Sequence, residues 1–205
     1  MAGPRCGGAL CFVQTFGQFF PPPGRELLPM PQPTLRPATP SDVAAIAQIY
    51  RPAVLSGTAS FELEPPSEEE MLRRYRAITD AGYPYFVAEL DGRIVGYAYA
   101  GAYRGRPGYR FTVENSVYVA PEAQGKGVGR ALLLEVIAAC TAKGYRLMVA
   151  VIGDSANFAS ISLHRRAGFK FCGTIHSVGY KLGRWLDSVI MELPLGEADR
   201  SQPGG

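Results

Sequence analysis

Cysteine, histidine and tryptophan are all scarce in this chain: four, two and one among 205 residues. The cysteines stand at positions 6, 11, 140 and 172, with no Cys-x-x-Cys pair and no histidine cluster beside them. That leaves out a disulfide framework and a zinc site, and suits a reducing compartment, the cytoplasm. No metal is expected. No apolar run approaches the roughly 20 residues of a membrane helix, so a helical membrane protein is excluded. A charge of one sign is also missing: 21 basic residues against 18 acidic ones leave a net charge of +3. Such a mild balance gives no footprint for nucleic acid, although it tolerates a small anionic ligand. With 47% hydrophobic and 19% charged residues the composition is that of a globular protein, and the length allows one domain or at most two.

What is present is unevenly spread. Residues 1–33 hold 7 of the 17 prolines, 5 glycines and only three charges, Arg5, Arg25 and Glu26. Phe19-Phe20-Pro21-Pro22-Pro23-Gly24 suits neither a helix nor a central strand, because proline lacks the N–H and fixes φ. Residues 1–33 are expected to be a disordered extension, with Met30 a candidate start. A secretory signal fits poorly, since the apolar run Ala9–Val13 is short and followed by Gln14 and Gln18. A polar tail is expected over 198–205.

From 34 to 197 helical and strand periodicities alternate, which predicts a single α/β domain. A strand at 34–38 leads to Pro40-Ser41-Asp42 and a helix with Val43, Ile46, Ile49 and Tyr50 on one face, which Pro52 ends or kinks. Ser67-Glu68-Glu69-Glu70 reads as a capping box opening a second helix to about Thr79. Strands at 85–90 and 93–99 flank Asp91-Gly92, a hairpin turn signal. A strand at 111–119, a glycine-rich loop and a helix from about 127 to 143 follow, stopped by Gly144. Leu147–Ile152 is wholly apolar, as a strand buried on both faces would be. A helix over 157–167 and strands near 169–178 and 186–193 complete the domain.

The loop carries the chemistry. Val117-Tyr118-Val119 runs through a turn into Gln124-Gly125-Lys126-Gly127-Val128-Gly129-Arg130 and straight into a helix. Glycines let successive N–H groups converge on an anion, and the helix start adds free N–H groups and the positive end of its dipole. Lys126 and Arg130 add charge, so the segment predicts a phosphate or pyrophosphate site; the bland alternative is a plain turn. Neither the G-x-x-x-x-G-K-[ST] nor the G-x-G-x-x-G spacing fits. The spacing that does fit is Q/R-x-x-G-x-G/A, through Gln124, Gly127 and Gly129. With the element order β-α-α-β-β-β-α-β-α-β-β, the chain resembles the GNAT superfamily of acetyl-CoA-dependent N-acetyltransferases. Ser56–Phe61, Thr112–Val119, Val149–Gly153 and Gly179–Asp187 narrow the resemblance to the phosphinothricin and methionine sulfone/sulfoximine branch.

That resemblance implies a mixed, mostly antiparallel twisted sheet of about seven strands with about four helices. It implies acetyl-CoA as co-substrate, bound by Val117, Tyr118, Val119, Gln124, Gly125, Lys126, Gly127, Val128, Gly129, Arg130, Asn157 and Ser160, the valine backbone pairing with the pantetheine arm and the Val119 N–H facing the oxyanion. An amine attacks a thioester only when neutral, and Glu114, on the strand before the loop, matches the family's general base. His164, where many relatives carry tyrosine, matches the acid that protonates the leaving thiolate, and its ordinary pKa suits acid or base duty. An amino-acid-like substrate brings a carboxylate, which arginine grips best, so Arg104 and Arg106 are the candidates. Phe61 and the Gly153 backbone match positions lining the acceptor pocket.

His176 is expected to be a bystander, and Trp185 a core residue or a contact of the homodimer that this branch generally forms. Cys140 and Cys172 show no sign of accepting an acyl group, so direct attack within a ternary complex is expected. The expected partners are a small-molecule amine and acetyl-CoA, with neither nucleic acid nor membrane. Another acceptor (polyamine, aminoglycoside or protein N-terminus) and a non-catalytic acyl-CoA sensor stay open, because fold alone does not name the amine.

Overall fold

The computed structural model describes residues 32–202. Almost all of the expected N-terminal extension, Cys6 and Cys11 included, lies outside them. Four helices, α1 (Val43–Leu55), α2 (Glu68–Asp80), α3 (Val128–Ala142) and α4 (Phe158–Arg166), accompany seven strands. The strands are β1 (Thr34–Pro37), β2 (Tyr85–Leu90), β3 (Arg93–Ala102), β4 (Thr112–Val119), β5 (Leu147–Gly153), β6 (Lys170–Lys181) and β7 (Arg184–Pro194). They form one sheet in the order β1-β2-β3-β4-β5-β7-β6. Every neighbouring pair is antiparallel except β4 and β5, which run parallel. The element order is the one the sequence predicts.

Local chemistry explains the central strands. Asp91 and Gly92 take φ of 51° and 73°, the double left-handed turn that matches strand twist. Along β3 the residues then alternate between two very different faces. Tyr97 and Tyr99 stack beside Tyr85 of β2 and Tyr118 of β4, with centroids 4.9 Å apart for Tyr85–Tyr99 and 5.1 Å for Tyr97–Tyr118. Tyr50 of α1 meets Tyr118 edge-on at 5.0 Å, so α1 closes that face. The opposite face presents Gly96, Ala98 and Ala100, small enough for α3 to lie close. A Cβ on Gly96 would stand 3.0 Å from Leu132 and 3.1 Å from the Tyr118 carbonyl oxygen. Leu132, Leu133 and Val136 are fully buried there, each contributing about 1.5–3 kcal/mol.

Several expectations are corrected. Pro52 does not end α1; the helix continues through it to Leu55, and the Pro52 carbonyl accepts from Ser56 and Gly57. The capping box is half made: Ser67 Oγ accepts from the Glu70 N–H at 3.2 Å, but the Glu70 carboxylate turns to Arg73 and Arg74. β5 is not buried throughout, since Val151 is 40% exposed. The last two strands are longer than predicted and joined by the tight turn Leu182-Gly183, with φ of 53° and 76°. Trp185 is no core residue; it is 63% exposed and packs edge-on against Tyr180. His176, by contrast, has the strand-face position expected of it, exposed on β6 and 3.4 Å from Asp187. Residues 198–202 follow Arg146, which donates to the Ala198 and Gln202 carbonyls.

The start of the domain hangs on Asp42. Its carboxylate accepts from both Arg36 terminal nitrogens at 2.7 and 2.8 Å, and from the Thr39 backbone N–H and hydroxyl. These partners hold its pKa down at about 2, the Arg36 hydrogen bonds contributing most. A lowered folded-state pKa stabilises above the unfolded value, and that stability is lost as pH falls through the folded value. Asp42→Asn should therefore lower the unfolding free energy at pH 7 by about 1–2 kcal/mol. In urea titrations the gap from the parent protein should close as pH falls from about 4 to about 2.

Candidate active site

β4 and β5 pair only from Thr112↔Leu147 to Glu114↔Val149. Beyond that point β4 stays with β3 as far as Val119, and β5 stays with β7 as far as Gly153. The two parallel strands thus part into a fork, and the edge of β4 from Asn115 onward has no strand beside it. Asn115 fills the apex. Its Nδ2 donates to the Val149 carbonyl at 3.1 Å, standing in for the lost ladder bond. This contact orients the amide and leaves Oδ1 to accept from His164 Nε2 at 3.0 Å.

His164 is 4% exposed and packs edge-on against Phe169. Its Nδ1 lies 2.8 Å from the Ser160 carbonyl oxygen and 3.4 Å from Ser160 Oγ. Nε2–H is directed at the Asn115 amide oxygen, and Nδ1 either donates to the Ser160 carbonyl or accepts from the Ser160 hydroxyl. Burial pushes its pKa below the ordinary value, and the Ser160 hydrogen bond opposes that shift. His164 is a packed part of the fork, and its ring does not line the large cavity.

That cavity, about 610 Å³, opens on the other face of β4. Glu114, Arg104 and Phe61 all line it, with Tyr103, Val151 and Tyr180. Burial raises the Glu114 pKa above that of a free carboxyl, which moves a base towards neutral working pH. Arg104 lies 5.2 Å from the Tyr103 ring and 5.9 Å from the Tyr109 ring, contacts that hold its guanidinium at the rim. Arg106 does not join it; it precedes the short turn Pro107–Tyr109, is exposed and lies outside the lining. Gly153 meets the connection from α1 to α2: a Cβ there would lie 2.1 Å from the Thr58 carbonyl oxygen.

The glycine loop has the predicted form. Gly125 and Gly127 take φ of 72° and 83° with open space where a Cβ would point. Gly127 caps α3 without a side-chain hydrogen bond, leaving first-turn N–H groups for an anion. Lys126 and Arg130 are exposed beside it. Gly129 lies against β4, where a Cβ would be 3.4 Å from Val119. Val117 is half-buried beside the same helix, Val128 is buried beneath the loop, and the Gln124 amide donates to the Val119 carbonyl at 3.2 Å. The Tyr118 side chain belongs to the tyrosine stack. Asn157 caps α4 by accepting from the Ser160 N–H at 3.2 Å. Among the described residues no group of three or more His, Cys, Asp or Glu could hold a metal.

Asn115 was missed by motif reading, yet a signal existed: a polar residue on the face that Val113, Val117 and Val119 share. The other side of the strand carries Glu114, so one dipeptide serves both faces.

The profile of the acetyltransferase (GNAT) family matches residues 44–169, more than half of the chain, and the chain belongs to that family. It is 51% identical to a phosphinothricin N-acetyltransferase of Alcaligenes faecalis over 83% of this chain and 86% of that one. It is 44% identical to an L-methionine sulfoximine/L-methionine sulfone acetyltransferase of Salmonella typhimurium, over 80% and 95%. The crystal structure of a phosphinothricin acetyltransferase from Sinorhizobium meliloti, in complex with acetyl-CoA, superposes with a TM-score of 0.82 at 50% identity, covering 84% of this chain and 94% of that one.

Gly127→Val places a β-branched side chain at positive φ, a strain of roughly 1–2 kcal/mol, and puts a Cβ over the N–H groups of α3. The KM for acetyl-CoA should rise by about 10-fold or more, with a melting temperature only a few degrees lower. Unchanged acetyl-CoA affinity would place the anion elsewhere.

Proposed function

We propose that this acetyltransferase moves the acetyl group of acetyl-CoA to the α-amine of a small amino-acid-like acceptor of the phosphinothricin, methionine sulfoximine or methionine sulfone type. The observation that carries this reading is the place of Glu114, a carboxylate of raised pKa at the fork apex lining a cavity that also holds Arg104. The glycine loop and the start of α3 take the pyrophosphate, with Lys126 and Arg130 adding charge. The free edge of β4 offers Val117 and Val119 to the pantetheine arm as to an added strand. Asn157 and Ser160, at the start of α4, complete the cofactor contacts.

The acceptor enters the cavity, its carboxylate at Arg104, its side chain against Phe61 and the apolar wall. Glu114 takes a proton from the ammonium, directly or through a water. The neutral amine then attacks the thioester carbon, and the Val119 N–H faces the developing oxyanion. Collapse expels the CoA thiolate and forms the amide, whose nitrogen gives up its second proton to the departing sulfur or to solvent. His164 is the family's acid for that thiolate; in this fold the duty requires the ring to release the Asn115 or the Ser160 contact.

The chain is further read as a homodimer. β6 is an edge strand, and Phe171, Ile175, Val178 and Tyr180 on it are each at least 50% exposed, as are Leu182 and Trp185 beside it. An edge so apolar calls for a cover. The free thiols of Cys140 and Cys172 suit the cytoplasm.

The test is an amine panel with acetyl-CoA, reading released thiol, that includes phosphinothricin, methionine sulfoximine, methionine sulfone, ordinary amino acids, a polyamine and an aminoglycoside. Amine-dependent release with the amino-acid-like compounds supports the reading; release only with the last two, or none, overturns it. Glu114→Gln keeps the shape and removes the base, so turnover should fall by roughly 10²–10⁴. Raising the pH should partly restore it, since more amine then arrives neutral. His164→Ala should lose less and show no such recovery. Wild-type turnover in Glu114→Gln at pH 7 removes it from the mechanism.

A further inference from the structure

Lys181, near the end of β6, is 3% exposed, and no carboxylate lies within ion-pair distance of it among the described residues. A buried ammonium without a counter-ion is costly unless its hydrogen bonds are made. Its Nζ donates to two backbone carbonyls, Ser60 at 2.5 Å and Ala53 at 3.4 Å. Ala53 lies in the last turn of α1, whose carbonyls have no intrahelical partner and carry the negative end of the helix dipole. Ser60 belongs to residues 56–66, the strap between α1 and α2.

The strap is the cavity wall on the acceptor side, because Phe61 and Leu63 both line the cavity. Its seat is closely fitted. The Phe61 ring occupies the space above Gly179, where a Cβ would fall 2.3 Å from it, and also borders Gly153 at 3.4 Å. Ser60, itself 7% exposed, is the hub: its Oγ bonds Tyr50 Oη at 2.7 Å and accepts from the Glu62 N–H at 3.2 Å. Its carbonyl takes the ammonium. Glu62 is fixed in turn by Arg74 at 2.6 Å. Apart from the packing of Phe61 and Thr58 on the sheet, the other polar anchors of Ser60 and Glu62 come from α1, α2 or the strap itself. Lys181 alone ties Ser60 by a hydrogen bond to β6, whose Val178 and Tyr180 also line the cavity.

We propose that Lys181 is a positioning residue for the acceptor side of the site: its ammonium fastens the Ser60 carbonyl and the end of α1 to β6, and so seats Phe61 in the cavity. The proposal rests on the reading of that cavity as the acceptor site. The cofactor loop and α3 lie on the other side of the fork and do not depend on this tie.

The test compares the parent, Lys181→Met, Phe61→Ala and the double variant, with whichever amine of the panel the parent acetylates. Lys181→Met should raise the KM for the amine by about 10- to 100-fold, the worth of a charge-assisted hydrogen bond, and leave the KM for acetyl-CoA within about 2-fold. In the cycle the two losses should not add, because once the ring is gone its seat no longer matters. Additive losses, or an equal rise in both KM values, would overturn the proposal. Hydrogen exchange gives a readout independent of any substrate: Lys181→Met should speed exchange over residues 57–63 while α3 and β4 keep the parent rates. Unchanged exchange over that stretch overturns it even for a protein inactive with every amine, whereas inactivity alone counts against the acceptor reading. If Lys181→Met does not fold, Lys181→Gln, which keeps an N–H donor without the charge, takes its place in the same measurements with a smaller expected rise.

Discussion

The site depends on one constraint: two parallel neighbours cannot share a hydrogen-bond ladder after they part. β4 and β5 hold together for three residue pairs and then follow β3 and β7. Glu114 and Asn115 lie at the point of parting. The last paired residue of β4 is Glu114, and the next, Asn115, supplies through its amide the bond that the backbone can no longer make. The separation leaves one edge of β4 free for a ligand and turns Val151 towards the cavity. A fork is otherwise expensive, because buried backbone groups need partners. Here helix α4 covers it, and His164 joins the cover to the apex through Asn115.

Buried polar groups elsewhere follow the same rule of meeting backbone. Asp42 ties a strand end to a helix start, Asp154 accepts from the Ala156 N–H in the turn before α4, and Lys181 meets the last turn of α1. Each sits where regular hydrogen bonding stops. The apolar interior between them, tyrosines on one face of the sheet and α3 on the other, does not distinguish this protein from a non-catalytic relative of the same shape. The polar stitches set the distances across the site.

Much of this was legible in the sequence because it is local. Asp91-Gly92 demands a turn whatever surrounds it, and the spaced glycines before α3 announce an exposed helix start. Long-range consequences were not legible. Leu182-Gly183 was hidden because leucine disfavours positive φ. Glu70 left its capping role because Arg73 and Arg74, one turn on, offered stronger partners. Arg104 and Arg106 look equivalent in sequence, and only the stacking of Arg104 on Tyr103 and Tyr109 separates them. Lys181 reads as an ordinary charged residue at a hairpin end until the strap is seen to lie across it. In each case the deciding contact lies beyond what spacing along the chain encodes, or uses a conformation that composition argues against.

The chain contains one tryptophan, and its place gives the molecule a spectroscopic handle. Trp185 stands largely in solvent on β7, with Tyr180 of the edge strand β6 packed edge-on against it. Most of the other packed tyrosines are stacked on the opposite half of the sheet, around Tyr97. Indole emission moves to shorter wavelength as water is removed from the ring. The colour of this protein's fluorescence therefore reports whether that edge is wet or covered, separately from the state of its core.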